Sequence, residues 1–184
     1  MNVYFTASEI PGDKSKQREA VLGLLDYALM RDFGVKRSDF GEFVYGEHGK
    51  PYFAKQEPIN PGICFSYSHC KYGIACAVAR REIGVDIQNI QQTRKTRPAL
   101  IERVCCADEI SLIKTEADFT RIWVLKEAFA KFTGKGFSQG FKGIDTTVFP
   151  PELVHRHGNL FVACYAEPPN SIQPLSFTIL SDNF

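Results

Sequence analysis

Ile63-Cys64-Phe65-Ser66-Tyr67-Ser68-His69-Cys70-Lys71-Tyr72-Gly73-Ile74-Ala75-Cys76-Ala77-Val78-Ala79-Arg80-Arg81-Glu82-Ile83-Gly84-Val85-Asp86-Ile87 holds three strand candidates with no helical stretch between them. Ile63 to Tyr67, Gly73 to Ala79 and Ile83 to Ile87 are short apolar runs, and the dyad Arg80-Arg81 makes a turn between the last two. Strands that cluster, instead of alternating with helices, point to an α+β fold rather than a parallel doubly wound sheet.

Working outward, residues 2–7 read as a short strand, and an apolar stripe from Ala20 to Leu29 predicts a helix over Lys14 to Asp32, stopped by Gly34. Glycines and Pro51 suggest paired short strands around the turn Gly46-Glu47-His48-Gly49-Lys50. On the other side, Gln91-Gln92-Thr93-Arg94-Lys95-Thr96-Arg97-Pro98 is polar, basic and closed by a proline near the midpoint, which makes it the best linker in the chain. Helical patterns follow around 99–104, 108–114 and 117–133, then strand-like runs at 143–149, 159–166 and 175–181. Each half therefore reads as helix plus strands, with a boundary expected between 1–92 and 93–184.

Composition narrows the function. The 184 residues are 44 % apolar and 23 % charged, which are globular values and exclude a disordered, collagenous or coiled-coil chain. No run approaches the roughly 18 apolar residues of a membrane span. Lys plus Arg total 22 against 21 Asp plus Glu, a net charge of +1 that argues against a general nucleic-acid binder. Met1 to Thr6 shows no basic region followed by an apolar stretch, so a cytoplasmic protein is expected. None of the six cysteines forms a Cys-x-x-Cys pair, and reduced thiols are the simplest reading. His155 and His157 flank Arg156 on what could be one strand face, where a solvated strand end is a better reading than a metal pair.

The segment Arg121 to Phe132 is the most informative for chemistry. Ile122, Leu125, Phe129 and Phe132 form one apolar stripe at helical spacing, while Trp123, Glu127 and Lys131 stack at i, i+4 and i+8 on the opposite side. Read as structure alone, Glu127 and Lys131 are an ordinary exposed bridge. The chain's single tryptophan on that supposedly wet face asks for something packed over it. Gly134-Lys135-Gly136 follows as a helix C-cap and basic loop. In Gly84-Val85-Asp86-Ile87-Gln88, alternation puts Val85 and Ile87 on one face and Asp86 with Gln88 on the other. A strand aspartate is either satisfied by a turn or is a hard oxygen ligand for Mg²⁺. Ser66, Ser68 and His69 at a strand end, and Lys50 in a turn, suit a phosphate group or an ordinary turn.

Taken together and in order, Gly49-Lys50-Pro51, Phe65-Ser66-Tyr67-Ser68-His69, Gly84 to Gln88 and Trp123 to Phe137 resemble the 4′-phosphopantetheinyl transferase superfamily, in its two-lobed Sfp type. That family reads Gly-Lys-Pro, Phe-x-x-Ser-His, Gly-[Ile/Val]-Asp-[Ile/Val]-Glu and Trp-x-x-Lys-Glu-[Ala/Ser]-x-x-Lys. The resemblance implies two similar helix-plus-strand lobes in pseudo-twofold arrangement, with the active site between them. It implies an enzyme of the holo-[acyl-carrier-protein] synthase type. Such an enzyme moves 4′-phosphopantetheine from coenzyme A to a serine of an apo acyl or peptidyl carrier protein and releases 3′,5′-ADP, with Mg²⁺ as cofactor.

Residue by residue, the resemblance implies Asp86 and Glu127 as metal ligands, with Gln88 standing where the family often has a second acid. Glu127 is the candidate general base and Lys131 the group that steadies the leaving phosphate. Ser68 and His69 would contact coenzyme A phosphates, with Lys50 and Arg18 near the 3′-phosphate. Cys105-Cys106 replaces an aromatic and a Ser or Thr that would open a capping box with Glu109, so that helix start is weaker. A monomer is expected, because one chain supplies both carboxylates. Arg94-Lys95-Thr96-Arg97 offers a basic patch for an acidic carrier or a solvated linker. Two further readings stay open: a non-catalytic coenzyme A or carrier-binding module of the same fold, and a metal-dependent phosphohydrolase.

Overall fold

The computed structural model describes residues 1–10, 12–55, 62–90, 98–136, 140–166 and 175–181. The first half carries β1 (Asn2–Phe5), α1 (Lys14–Phe33), β2 (Phe43–Tyr45), β3 (Pro51–Phe53), β4 (Cys64–Cys70), β5 (Gly73–Ala79) and β6 (Gly84–Asn89). The second carries α2 (Pro98–Val104), α3 (Ala107–Leu112), α4 (Glu116–Thr133), β7 (Val154–His157), β8 (Leu160–Tyr165) and β9 (Ser176–Ile179). The fold is α+β, as the clustered strands predict. Asp13 caps α1 by accepting a hydrogen bond from Ser15 N at 2.8 Å, and Gly34 ends the helix in the left-handed region at φ 68°.

Two larger sheets and two long helices make four layers, and β2 and β3 pair antiparallel as a separate two-stranded hairpin. One sheet runs β4-β5-β1-β9, with β1 and β9 parallel and the other pairs antiparallel; the second runs β6-β8-β7, all antiparallel. α1 covers the outer face of the first sheet, packing Val21, Leu24, Leu25 and Ala28 against Phe65, Ile74, Cys76 and Val78. Val3, Phe5, Ala75 and Ala77 meet Val85, Ile87, Leu160 and Val162 between the sheets. α4 covers the far side, where Val124, Leu125 and Ala128 pack on Phe161, Ala163 and Tyr165. Strand alternation thus sends Val85 and Ile87 inward between the sheets and Asp86 toward α4. The boundary at residues 92 and 93 does not separate the sheets, since the first takes β9 from the second half and the second takes β6 from the first. The linker at 91–97 lies outside the described residues.

The structure corrects three expectations. Residues 143–149 are not a strand: Phe141–Gly143 and Thr146–Val148 are single 3₁₀ turns, shaped by the side chains they wrap around. The α4 helix buries more than one stripe, because Ile122 and Ala130 enter a second cluster with Phe119, Val104 and Phe141. Trp123 belongs to that cluster, edge-on to Phe141 at 5.4 Å and tilted on Phe119 at 6.1 Å, so local chain covers it rather than the other half of the molecule. His155 stacks on Phe177 at 5.3 Å and leans on Phe5 at 5.6 Å, while Arg156 and His157 stay exposed, so only His155 departs from a solvated strand end.

Candidate active site

β6 and α4 can approach closely because Gly84 has no side chain. A Cβ there would lie 1.9 Å from Ala128 O and 2.3 Å from Phe132 N. That contact brings Asp86, two residues along the strand, against the Glu127–Lys131 turn of the helix. Lys131 Nζ donates to Asp86 Oδ1 at 2.7 Å, joining groups that are 45 positions apart in sequence. Ser68 Oγ on β4 donates to the same oxygen at 2.6 Å. The second carboxylate oxygen, Oδ2, is buried with no hydrogen-bond partner. The bridge read from helical spacing is therefore not self-contained: Lys131 reaches across to Asp86.

Glu127 is half-buried and feels both neighbours. Burial, reinforced by the negative charge of Asp86 and only partly offset by Lys131, pushes its carboxyl up from 4.5 to about 7. Two carboxylates share one ammonium, and the site is short of positive charge. His69 is exposed on the opposite face of β4 from Ser68. Partial desolvation of its ring and the positive charge of Lys131 lower its pKa, against the opposing pull of Asp86, so the neutral imidazole is favoured.

Three clefts follow one another along β4. The first, about 280 Å³, lies between the β2–β3 hairpin and the end of α4, and Phe65, Tyr67, Lys50, Glu127 and Lys131 line it. The second, about 320 Å³, separates β4 from α1 and is lined by Tyr67, His69, Lys14 and Arg18. The third, about 520 Å³, takes His69, Lys71, Glu9 and Gln88. Gln88 and Glu127 thus open on different clefts. Lys50 is almost fully buried and its ammonium is engaged, paired with Glu82, donating to Phe132 O at 2.9 Å and lying 3.5 Å from Ile83 O.

The family model for the 4′-phosphopantetheinyl transferase superfamily matches residues 82–165, which carry Asp86, Glu127 and Lys131. The 4′-phosphopantetheinyl transferase Sfp of Bacillus subtilis (strain 168) is 31 % identical over 172 residues, which is 85 % of this chain and 72 % of that protein. The chain belongs to the 4′-phosphopantetheinyl transferase superfamily. A 4′-phosphopantetheinyl transferase of Bacillus subtilis is 34 % identical over 124 residues, 62 % of this chain and 50 % of the relative. HetI of Nostoc sp. (strain PCC 7120) is 30 % identical over 135 residues, 65 % and 56 % of the two chains. The chain spans about half the length of several curated relatives it matches, such as the 50 % of that second Bacillus protein.

A second charged cluster of this superfamily member escaped the sequence reading. Lys126 is fully buried and pairs with the equally buried Glu109 at 2.7 Å, while also donating to Phe141 O at 2.9 Å and to Ile144 O. Glu109 Oε1 accepts from Thr146 N at 2.9 Å and Thr146 Oγ1 at 2.7 Å, and Oε2 accepts from Cys106 N at 2.8 Å. Burial alone would raise this carboxyl, yet the bonds from Lys126, Thr146 and Cys106 hold it below its ordinary value. Among the described residues, Cys106, Glu109 and Asp145 form the group of three whose donor atoms lie within 4.8 Å. Glu109 already takes its positive charge from Lys126, so this cluster is structural. The available signal was Lys126 standing on the face of Ile122 and Ala130, a charge inside an apolar stripe.

Proposed function

We propose that this chain transfers 4′-phosphopantetheine from coenzyme A to a serine hydroxyl of an apo acyl or peptidyl carrier protein, releasing 3′,5′-ADP. The observation that carries the reading is the convergence of Asp86, Glu127 and Lys131 around a buried carboxylate oxygen with no partner. Family membership supports the reaction class. We further propose two lobes, 1–92 and 93–184, that each lend an edge strand to the other's sheet and meet at this site, working as a monomer in the cytoplasm. The six free thiols suit a reducing compartment. Among the described residues, no helix is long and apolar enough to cross a membrane.

The residues fit a divalent cation. An unpaired carboxylate oxygen on Asp86 and a Glu127 carboxyl pushed upward both mark a charge deficit that Mg²⁺ would relieve, and Mg²⁺ accepts one or two carboxylates with phosphates and water filling its octahedron. Asp86 and Glu127 would hold it, and Gln88, which opens on a different cleft, would act only through water. When bound, it supplies charge neutralisation at the pyrophosphate.

The chain's own groups supply the rest. Glu127, ionised when a cation sits beside it, would take the proton from the acceptor serine as its oxygen bonds to phosphorus. The phosphoanhydride bond to the ADP moiety breaks, and its electron pair leaves on 3′,5′-ADP. Lys131 adds positive charge beside the phosphoryl oxygens, where positioning and electrostatics supply most of the acceleration. The row of clefts along β4 suits an elongated ligand, with His69 and Arg18 along the way. Lys50 would meet a phosphate by exchanging Glu82 for it.

Intact-mass spectrometry of apo carrier proteins incubated with coenzyme A and Mg²⁺ tests this. A phosphopantetheine-sized gain that needs the metal and the acceptor serine is expected. Coenzyme A binding with no gain on any carrier would replace the transferase with a binding module. Carrier-independent release of 3′,5′-ADP would instead make the nucleophile water.

A further inference from the structure

β4 and β6 belong to different sheets, and side chains rather than a backbone ladder stitch them together. Ser66 Oγ accepts from Val85 N at 2.9 Å, and two residues on, Ser68 Oγ donates to Asp86 Oδ1 at 2.6 Å. Both serines are buried. The Ser68 hydroxyl therefore faces the carboxylate and not the row of clefts, which Tyr67 and His69 line from the other face of the strand. A hydroxyl committed to a carboxylate at this distance has spent its proton there.

The two donors to Asp86 fall on one oxygen. Ser68 Oγ and Lys131 Nζ both address Oδ1, at 2.6 and 2.7 Å, and neither addresses Oδ2. Rotation about the Asp86 side chain exchanges the two oxygens, so a pair of donors on one side selects a single rotamer. Lys131 is long, and about a third of its side chain is exposed, so it can follow either oxygen. Ser68 is short and fixed on a strand, so it is the donor that sets which oxygen stays free.

We infer that Ser68 is a positioning residue for the metal site: it locks Asp86 through Oδ1 and presents Oδ2 to the cation, rather than contacting a phosphate of coenzyme A. The inference deepens the metal-binding reading of Asp86 and rests on it. Ser68 touches no substrate in this role. Its effect passes through Asp86, in the way that groups around a metal ligand fix that ligand's orientation.

The test is a titration of the unliganded protein with Mn²⁺, followed by electron paramagnetic resonance and by competition with Mg²⁺, on the wild type, Ser68→Ala and Ser68→Thr. Ser68→Ala should lose about tenfold to a hundredfold in ion affinity, while Ser68→Thr, which keeps the hydroxyl, should recover most of it. With Mg²⁺ raised to saturation, the KM of Ser68→Ala for coenzyme A should match that of the wild type. Unchanged ion affinity with a raised KM for coenzyme A would overturn the inference and return Ser68 to the phosphate. Unchanged metal-free melting temperatures separate a positioning role from a folding defect; a Ser68→Thr protein that melts normally but binds the ion as weakly as Ser68→Ala also overturns it. No ion binding by the wild type is a different failure, since it removes the metal reading of Asp86 itself.

Discussion

Lys131 and Asp86, on a helix and a strand from opposite halves of the chain, meet through a 2.7 Å ion pair in which the carboxylate is almost wholly buried. Lys131→Met keeps the stem and removes the charge, leaving Asp86 with Ser68 alone. Breaking a fully buried pair costs about 3–5 kcal/mol, and the partial exposure of Lys131 brings the expected loss nearer about 1–2 kcal/mol. Carrier modification should slow by about a hundredfold or more, as when one charge-stabilising donor is lost. Thermal melting and single-turnover mass spectrometry read the two effects separately.

Glu127→Gln should leave the fold intact, because the amide has the same shape and removes a charge that burial and Asp86 oppose. Turnover should fall about 10²–10⁴-fold, the range of a lost general base. Near-normal turnover would take Glu127 out of the mechanism.

The raised Glu127 pKa fixes a pH dependence. Its folded value of about 7 lies above the ordinary 4.5, so between those values the folded state holds a proton that the unfolded state has released. This group's contribution is full below pH 4.5, declines as pH rises, and is lost above about 7. In chelator, the melting temperature of wild type relative to Glu127→Gln should drop across that window and then level off. Mg²⁺ displaces the same proton, so its stabilising effect should grow over the window. A Mg²⁺ shift equal at both ends would refute the assignment.

Gly84→Ala should be among the most disruptive single changes. The added methyl would meet helix backbone at 1.9 and 2.3 Å, where no side chain can move aside. Overpacking ordinarily costs about 1–3 kcal/mol, and a clash with backbone belongs at or above the upper end. Denaturant titration measures it. Metal affinity should fall with it, because the same contact sets the spacing of Asp86 from Glu127.

Lys126→Met should cost about 3–5 kcal/mol, since Glu109 stays behind as an uncompensated buried charge. Adding Glu109→Gln should recover part of the loss, because the amide needs no counter-charge. Urea unfolding of the two variants decides it; no recovery would mean that the carbonyls of Phe141 and Ile144, left without Lys126, carry the cost.

The helices and most strands were legible because their periodicity is set by burial on one side. Alternation at Val85–Gln88 and the glycine stop at Gly34 survive intact in the structure. The run from 143 to 149 misled because Ile144 and Thr146 alternate with exposed residues for a different reason, namely that both line the nest around Lys126 and Glu109. Of the site, the residue types were readable and the partnerships were not. Spacing on α4 pairs Lys131 with Glu127, and only the packing of β6 against the helix redirects it to Asp86. The commitments of Ser68 to Asp86 and of Lys50 to Glu82 are likewise tertiary, and no local pattern encodes them.

The parallel pairing of β9 with β1, and the antiparallel pairing of β6 with β8, have a consequence for the order in which the molecule assembles. Asn2 aligns with Ser176 and Gly84 with Tyr165, so each sheet is closed by a contact spanning a large part of the chain. A nascent chain that has reached residue 92 holds β1 with one edge bare and β6 with no partner strand in its own sheet. Loop closure of this length is slow and its entropic cost precedes its reward. Until the last strands emerge, the nascent chain shows open strand edges of the kind that invite aggregation, and holding them apart falls to the ribosome and to chaperones.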